Sequence, residues 1–388
     1  MKSVTVLTRS CTLLVGRSFL LAALVVSASG CSLLNRSSDK PSPADLGENV
    51  AVLGVRQAWT AQVGKLGSLA LDVHASKTAV TLASEGGEVA AIDARTGGDI
   101  WRTSLGEQLS AGVGSDGKFA AVVSRSNELI VLNAGKEVWR RKLTALVFTR
   151  PLVAGGRIFV LTADRSLSAY DAGSGATLWS QQRPGDSLVL RHSGVLIAVD
   201  DTLVAGFSGR LVGVSPDNGS VRWEAPIATA RGTNDVERLV ELVGRTSRAG
   251  ASVCARAFQA AIGCVSTARG AIAWTQPAVG VEGIDGDEEA IFGAESNGTL
   301  LAFRRADGSR LWTSERLKYR KLTAPLLLGR SVVVGDSAGV VHLVSRSDGS
   351  HLNRMATDGT GIGAAPVVAA DTLVVVTRGG GIFAFRPE

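Results

Sequence analysis

Seven tryptophans recur along this 388-residue chain at nearly constant spacing: Trp59, Trp101, Trp139, Trp179, Trp223, Trp274 and Trp312, with gaps of 42, 38, 40, 44, 51 and 38 residues. Six have a glycine four positions earlier, at Gly97, Gly135, Gly175, Gly219, Gly270 and Gly308. An eighth unit carries Asp348-Gly349 and then Asn353 where the tryptophan would stand. A fixed period of about 40 residues marks a repeat architecture, so the chain reads as copies of one unit rather than as the two or three domains its length suggests.

Residues 157–179 show what one unit contains. A β-branched and aliphatic run from Arg157 meets a polar turn at Ala163-Asp-Arg165, and a second run ends in Asp171-Ala-Gly-Ser-Gly175 before a short strand carrying Trp179. Alternating apolar runs separated by Gly, Asp and Asn clusters are hairpin signals. Upstream, Pro151, Pro325 and Pro366 open the first strand of their units, where the missing N–H is tolerated. Four strands in about 40 residues is the arithmetic of a propeller blade. The surplus of glycine, 46 residues, belongs to the turns, and the tryptophans are apolar plugs between blades.

The ends predict how the ring closes. Trp59 has no strands before it, and the last run, Leu373 to Phe385, has no tryptophan strand after it. Pairing the first strand onto the final three completes a blade and removes two exposed edges. The expected fold is therefore all-β: an eight-bladed β-propeller of four-stranded antiparallel blades over residues 57–388, with the last blade closed by the N-terminal strand.

Residues 1–30 carry Lys2, Arg9 and Arg17 with no acid, then the apolar run 19–26 and Ala28-Ser-Gly before Cys31. That is the layout of a secretory signal peptide, with an apolar stretch too short to span a bilayer. The small residues before Cys31 resemble the bacterial lipobox, which implies cleavage at 30, acylation of Cys31 and, through Ser32, sorting to the outer membrane. Residues 31–56 are then the lipidated cysteine and a polar, flexible tether. Removing the signal takes three cations from the formal charge of +6, so the exported chain has little electrostatic case for nucleic acid.

The segment Asp93-Ala-Arg-Thr-Gly97-Gly-Asp-Ile-Trp101 resembles the AxDxxTGxxxW repeat of quinoprotein dehydrogenases, which also occurs in non-catalytic propellers. Lipobox, short tether, eight tryptophan-marked units and N-terminal closure together resemble the BamB family of outer-membrane assembly lipoproteins. That resemblance implies a periplasm-facing scaffold on the outer membrane that binds BamA and aids insertion of β-barrel proteins, with unfolded barrel clients as a further partner class. It also implies where the partner binds. Leu188, Leu190 and Arg191 match family contact residues, and Glu237 and Glu241 lie in the second, acidic contact segment, where Val243 replaces one acidic position. Two leucines beside one arginine suit an interface anchor. The residues by themselves leave open that both leucines point into the fold.

The rival reading is a quinone-dependent periplasmic dehydrogenase. By resemblance it needs calcium held by carboxylates and amides at the propeller axis, a catalytic aspartate, and often a disulfide between adjacent cysteines. The sequence has no adjacent cysteines, and acids such as Asp93, Asp171 and Asp307 are turn formers. His74, His192, His342 and His351 have no metal-binding spacing. No catalysis, no metal and no cofactor are expected; a ligand-binding exported propeller is the third alternative. Cys254 and Cys264 flank a predicted hairpin at Gln259, and an oxidising compartment favours a disulfide there over two buried thiols. The basic run 316–321 is assigned to a solvated loop between blades.

Overall fold

The computed structural model describes residues 41–67, 71–184, 188–230, 233–234 and 239–388. The chain divides into two units, Met1–Ser42 and Pro43–Glu388, and the fold described here is that of the second. Every regular element among the described residues is a strand, and the strands form eight four-stranded antiparallel sheets. In chain order the blades occupy residues 74–104, 114–142, 152–182, 196–226, 242–277, 284–314 and 326–356, numbered 1 to 7. Blade 8 consists of Val367–Ala369, Thr372–Val376 and Gly381–Pro387, completed on its outer edge by Val55–Gln62. The closing register runs from Val55 opposite Pro387 to Gln62 opposite Gly381, with a bulge between Gln57 and Trp59.

Each blade alternates its buried residues on both faces, because a blade packs against a neighbour on either side. The second strand of blade 3, Arg157–Leu161, contributes Phe159 to a cluster with Leu203, Ala205 and Val212 of blade 4. Its Ile158 and Val160 instead join Ala121, Val123 and Val131 of blade 2. The hydrophobic core is thus a ring of layers between sheets, and no blade buries its apolar faces alone.

The tryptophans and glycines act across these layers. Between the third and outer strands of blade 1, Asp93 Oδ1 accepts hydrogen bonds from the Arg95 and Thr96 amides and the Thr96 hydroxyl, at 2.9, 2.9 and 3.0 Å. These hydrogen bonds, Thr96 foremost, hold the Asp93 carboxyl below the usual range. The turn ends at Gly97 with φ +77°, and a Cβ there would lie 2.6 Å from the indole of Trp59, in blade 8. Trp59 Nε1 also donates to the Ala94 carbonyl in the same turn, at 3.1 Å. Around the ring Gly175 meets Trp139, Gly219 meets Trp179, Gly308 meets Trp274 and Gly349 meets Trp312. The glycine four residues before a tryptophan therefore serves the tryptophan of the preceding blade.

Asn353 marks the one junction where this exchange has no counterpart. Blade 8 takes its outer strand from the other end of the chain, so it has no turn between third and outer strands to receive an indole. At that place Gly54 meets Glu388, whose amide donates to the Gly54 carbonyl. Asn353 Nδ2 instead donates to the Leu53 carbonyl at 2.6 Å, while its Oδ1 accepts from Asn49 Nδ2 at 2.9 Å. Upstream, the Val52 amide donates to Leu352 at 2.7 Å, and Arg354 donates to the Leu46 carbonyl at 2.7 Å. The stretch 44–53, assigned above to a flexible tether, is a strap along the outer edge of blade 7. Its backbone carbonyls and amides are held by that edge, and Leu46 packs on the core cluster containing Leu317 and Leu322.

Candidate docking surface

Successive strands alternate direction, so every connector from an outer strand to the next inner strand emerges on one face of the ring. The two segments singled out by resemblance are both such connectors, 183–195 between blades 3 and 4 and 227–241 between blades 4 and 5. The hairpin joining the second and third strands of each blade opens on the same face. These elements converge on one cleft lined by Phe148, Leu161, Arg165, Leu190, Phe207 and Glu241.

Leu188 is 38 % exposed, and Leu190 is half-buried in the cleft wall. Arg191 is exposed with its guanidinium 5.7 Å from the Phe148 ring centroid, a stacking that fixes its position while leaving donors outward. Glu241 does not project as a solvated acid. One of its oxygens lies 3.2 Å from a guanidinium nitrogen of Arg165, with both side chains largely buried. Val243 is 1 % exposed in the strand Leu242–Ala249, so this position has joined the core of blade 5 and offers no acidic contact. Cys31 and Glu237 lie outside the described residues.

Arg165 belongs to the polar turn Ala163-Asp-Arg165. It occupies the left-handed position of the hairpin at φ +65°, where four other blades have Gly87, Gly298, Gly339 and Gly380, and each of these five amides donates to the carbonyl three residues back. A side chain in this conformation costs about 1–2 kcal/mol. Arginine there holds Glu241 across two blades and donates to the Ser208 hydroxyl. A non-glycine at a glycine position was the available signal, and it becomes visible only when the blades are aligned on one another.

His192, next to Arg191, fixes the base of the first connector. Its Nδ1 lies 3.0 Å from the Ser193 carbonyl, its Nε2 is 3.8 Å from a Glu282 oxygen, and Ser193 donates through its hydroxyl to Asp72. Burial opposes the charged imidazole, but Glu282, the Ser193 carbonyl and Asp72 outweigh it and push the pKa up to about 9.

The axis of the ring has a different character. Asp285 is engaged by the Leu327 amide at 2.9 Å and by Arg245 at 3.5 Å, while Arg245 also donates to the Pro366 carbonyl at 2.8 Å. Arg150 and Arg245 both line the channel, and two guanidinium groups oppose a divalent cation. Among the described residues no three His, Cys, Asp or Glu side chains cluster as a metal site. Cys254 and Cys264 sit directly opposite each other in adjacent strands of blade 5 and are joined as a disulfide. It is covered by Arg305, whose guanidinium donates to Cys254 Sγ at 3.2 Å. That bridge staples the two middle strands of blade 5 to each other, on the side packed against blade 6.

Fold and repeat define an eight-bladed propeller of the quinoprotein type with a cleft on its connector face. A family model described as outer membrane protein assembly factor BamB matches residues 85–314. A relative of that name from Burkholderia pseudomallei is 39 % identical over 370 residues, covering 95 % of this chain and 97 % of the relative. The chain belongs to the BamB family of outer membrane protein assembly factors. Among solved structures, BamB from Moraxella catarrhalis superposes with a TM-score of 0.78 at 23 % identity, over 86 % of this chain and 99 % of that one. A quinohemoprotein alcohol dehydrogenase from Comamonas testosteroni gives 0.66 at 14 % identity, over 89 % and 79 %, which shows the shared fold alone.

Proposed function

We propose that this chain is a non-catalytic scaffold lipoprotein of the outer-membrane barrel-assembly machinery, aiding the folding and insertion of β-barrel proteins by docking on BamA. Acylated Cys31 holds it on the outer membrane, facing the periplasm. The observation that carries the docking reading is the convergence of two connectors, distant in sequence, on one cleft. Leu188 and Leu190 offer apolar anchors, Arg191 offers a stacked, preorganised donor, and the Arg165–Glu241 pair ties the two connectors' blades together. Anchors of this kind contribute about 2 kcal/mol or more each at interface centres. The outer strands of the blades add a second surface, since Ile100, Val138, Leu178 and Leu311 are exposed beside the tryptophans along unpaired edges, suited to extended client segments.

The dehydrogenase reading is not favoured, because the carboxylates lining the channel are already engaged, Asp285 by Arg245, Asp72 by the Ser193 hydroxyl and Asp287 by Arg346, and arginines stand beside them. The test is recovery of BamA from detergent-solubilised envelopes with the chain carrying Leu188→Ala, Leu190→Ala and Arg191→Ala together. Recovery should fall at least tenfold with the thermal midpoint unchanged. Undiminished recovery would overturn the assignment, and stoichiometric quinone in the purified protein would restore the enzyme reading.

A further inference from the structure

Pro43 is the first residue of the folded unit, twelve residues beyond Cys31. An extended chain spans at most about 3.6 Å per residue, so an acyl group on Cys31 keeps Pro43 within about 45 Å of its bilayer. Where the strap begins is fixed by hydrogen bonds. The Ala44 amide donates to the Lys318 carbonyl at 2.9 Å, and Arg320 donates twice to the Ala44 carbonyl, at 3.0 and 2.6 Å. Arg320 is itself held by the buried Asp336, at 3.1 Å. The chain therefore leaves the ring at connector 315–325, between blades 6 and 7, on the same face as the docking cleft.

That connector is built to show cations. Leu317 and Leu322 are buried in the core, which forces Arg316, Tyr319 and Lys321 outward, Tyr319 being 42 % exposed. Lys318 pairs with Glu315 at 2.7 Å and Arg320 with Asp336. Arg316 and Lys321 form no ion pair among the described residues; the charge of Arg316 acts on Asp348 only at longer range, and Lys321 lines the mouth of the axial cavity together with Glu282 and Glu295. An exposed aromatic ring flanked in sequence by two exposed cations that make no close ion pair, at the point where a lipidated leash departs, has the chemistry of a headgroup contact.

We infer that connector 315–325 is a membrane-facing surface on which Arg316 and Lys321 take anionic phospholipid headgroups. Blades 6 and 7 then stand nearest the bilayer, and the docking cleft, three blades round the ring, is left open to protein. The inference rests on acylation of Cys31. Its role is orientation, since the acyl chain supplies the attachment and the cations choose which part of the ring meets the surface. Each interfacial cation shifts surface partition about fivefold, so losing both shifts it about thirtyfold.

The test uses the full, lipidated chain on vesicles of phosphatidylcholine with or without phosphatidylglycerol, with a nitroxide at Ala338→Cys or Ser347→Cys. Ala338 lies in the exposed hairpin of blade 7 beside Arg320, and Ser347 in the exposed turn on the opposite face. On phosphatidylglycerol the label at 338 should become accessible to oxygen and shielded from an aqueous relaxant, while that at 347 stays aqueous. Arg316→Ser with Lys321→Ser should abolish the difference, as should phosphatidylcholine alone. If the chain floats with vesicles and label 338 stays as aqueous as label 347, the surface assignment is overturned and the anchor stands. If the chain does not float, the anchor reading fails and takes the inference with it.

Discussion

Gly308→Ala is the substitution that separates a repeat read along the chain from one read across the ring. Gly308 precedes Trp312 by four residues, yet an added Cβ would meet Trp274 of the preceding blade, 2.5 Å from two indole carbons. Two costs follow. The backbone sits at φ +72°, where alanine is strained by about 1–2 kcal/mol. The clash adds overpacking of about 1–3 kcal/mol, because Trp274 is pinned by its Nε1 bond to the Arg305 carbonyl at 2.6 Å and cannot swing away. Gly250→Ala is the internal control: its φ is +52° and nothing lies within 4 Å of the new Cβ, so it pays only the first cost. Urea unfolding should place Gly308→Ala about 1–3 kcal/mol below Gly250→Ala. The decisive measurement is a double-mutant cycle. In a Trp274→Leu background the steric part should vanish, giving a coupling of about 1–3 kcal/mol, whereas Trp312→Leu should leave the cost of Gly308→Ala unchanged within about 0.5 kcal/mol. Coupling to Trp312 rather than Trp274 would refute the cross-blade account of the repeat.

Arg165→Gly should keep the hairpin folded, since glycine holds this position in other blades, and should still weaken BamA recovery; recovery equal to the parent chain would show that the Arg165–Glu241 pair does not shape the cleft. His192 carries a pKa raised above its unfolded value, so its stabilisation is complete below about pH 6.5 and is lost as pH rises through about 9. Its size is about 2 kcal/mol after discounting for the partly exposed Glu282, and His192→Ala should flatten the urea midpoint between pH 7 and 10. Cys254→Ala with Cys264→Ala opens a loop of sequence separation 10, which costs about 3 kcal/mol on loop entropy, and non-reducing peptide mapping of the parent chain should recover the two cysteines on one linked fragment. Asn353→Ala should release the strap, read as faster amide exchange at Val52 and Leu53, with the other blades unaffected.

Much of the fold was legible because a repeat states its own boundaries. Period-2 apolar runs gave the strands, glycine and aspartate clusters gave the turns, and the unmatched first and last strands gave the closure. The disulfide was legible for the same reason, since a hairpin at Gln259 sets Cys254 opposite Cys264. The docking residues were less so. Leu188 and Leu190 differ from inward-facing leucines only in where their connector lies, and nothing local announces that Glu241 is held by an arginine about 75 positions away.

The sequence by itself determined the blade count, the strand order and the place where the ring closes, because hairpins are made by neighbours and neighbours are written in order. Tertiary structure decided who pairs with whom across blades. Each turn glycine is small for the preceding blade's indole, Asn353 replaces a tryptophan because the closing blade has no turn to receive one, and Arg165 endures a glycine's backbone to reach Glu241. Those contacts depend on a rotation between sheets that no local pattern encodes. The stretch 44–53 shows the same division: its polar composition reads as a tether, and only the exposed edge of blade 7, with its unpaired carbonyls and amides, makes it a strap.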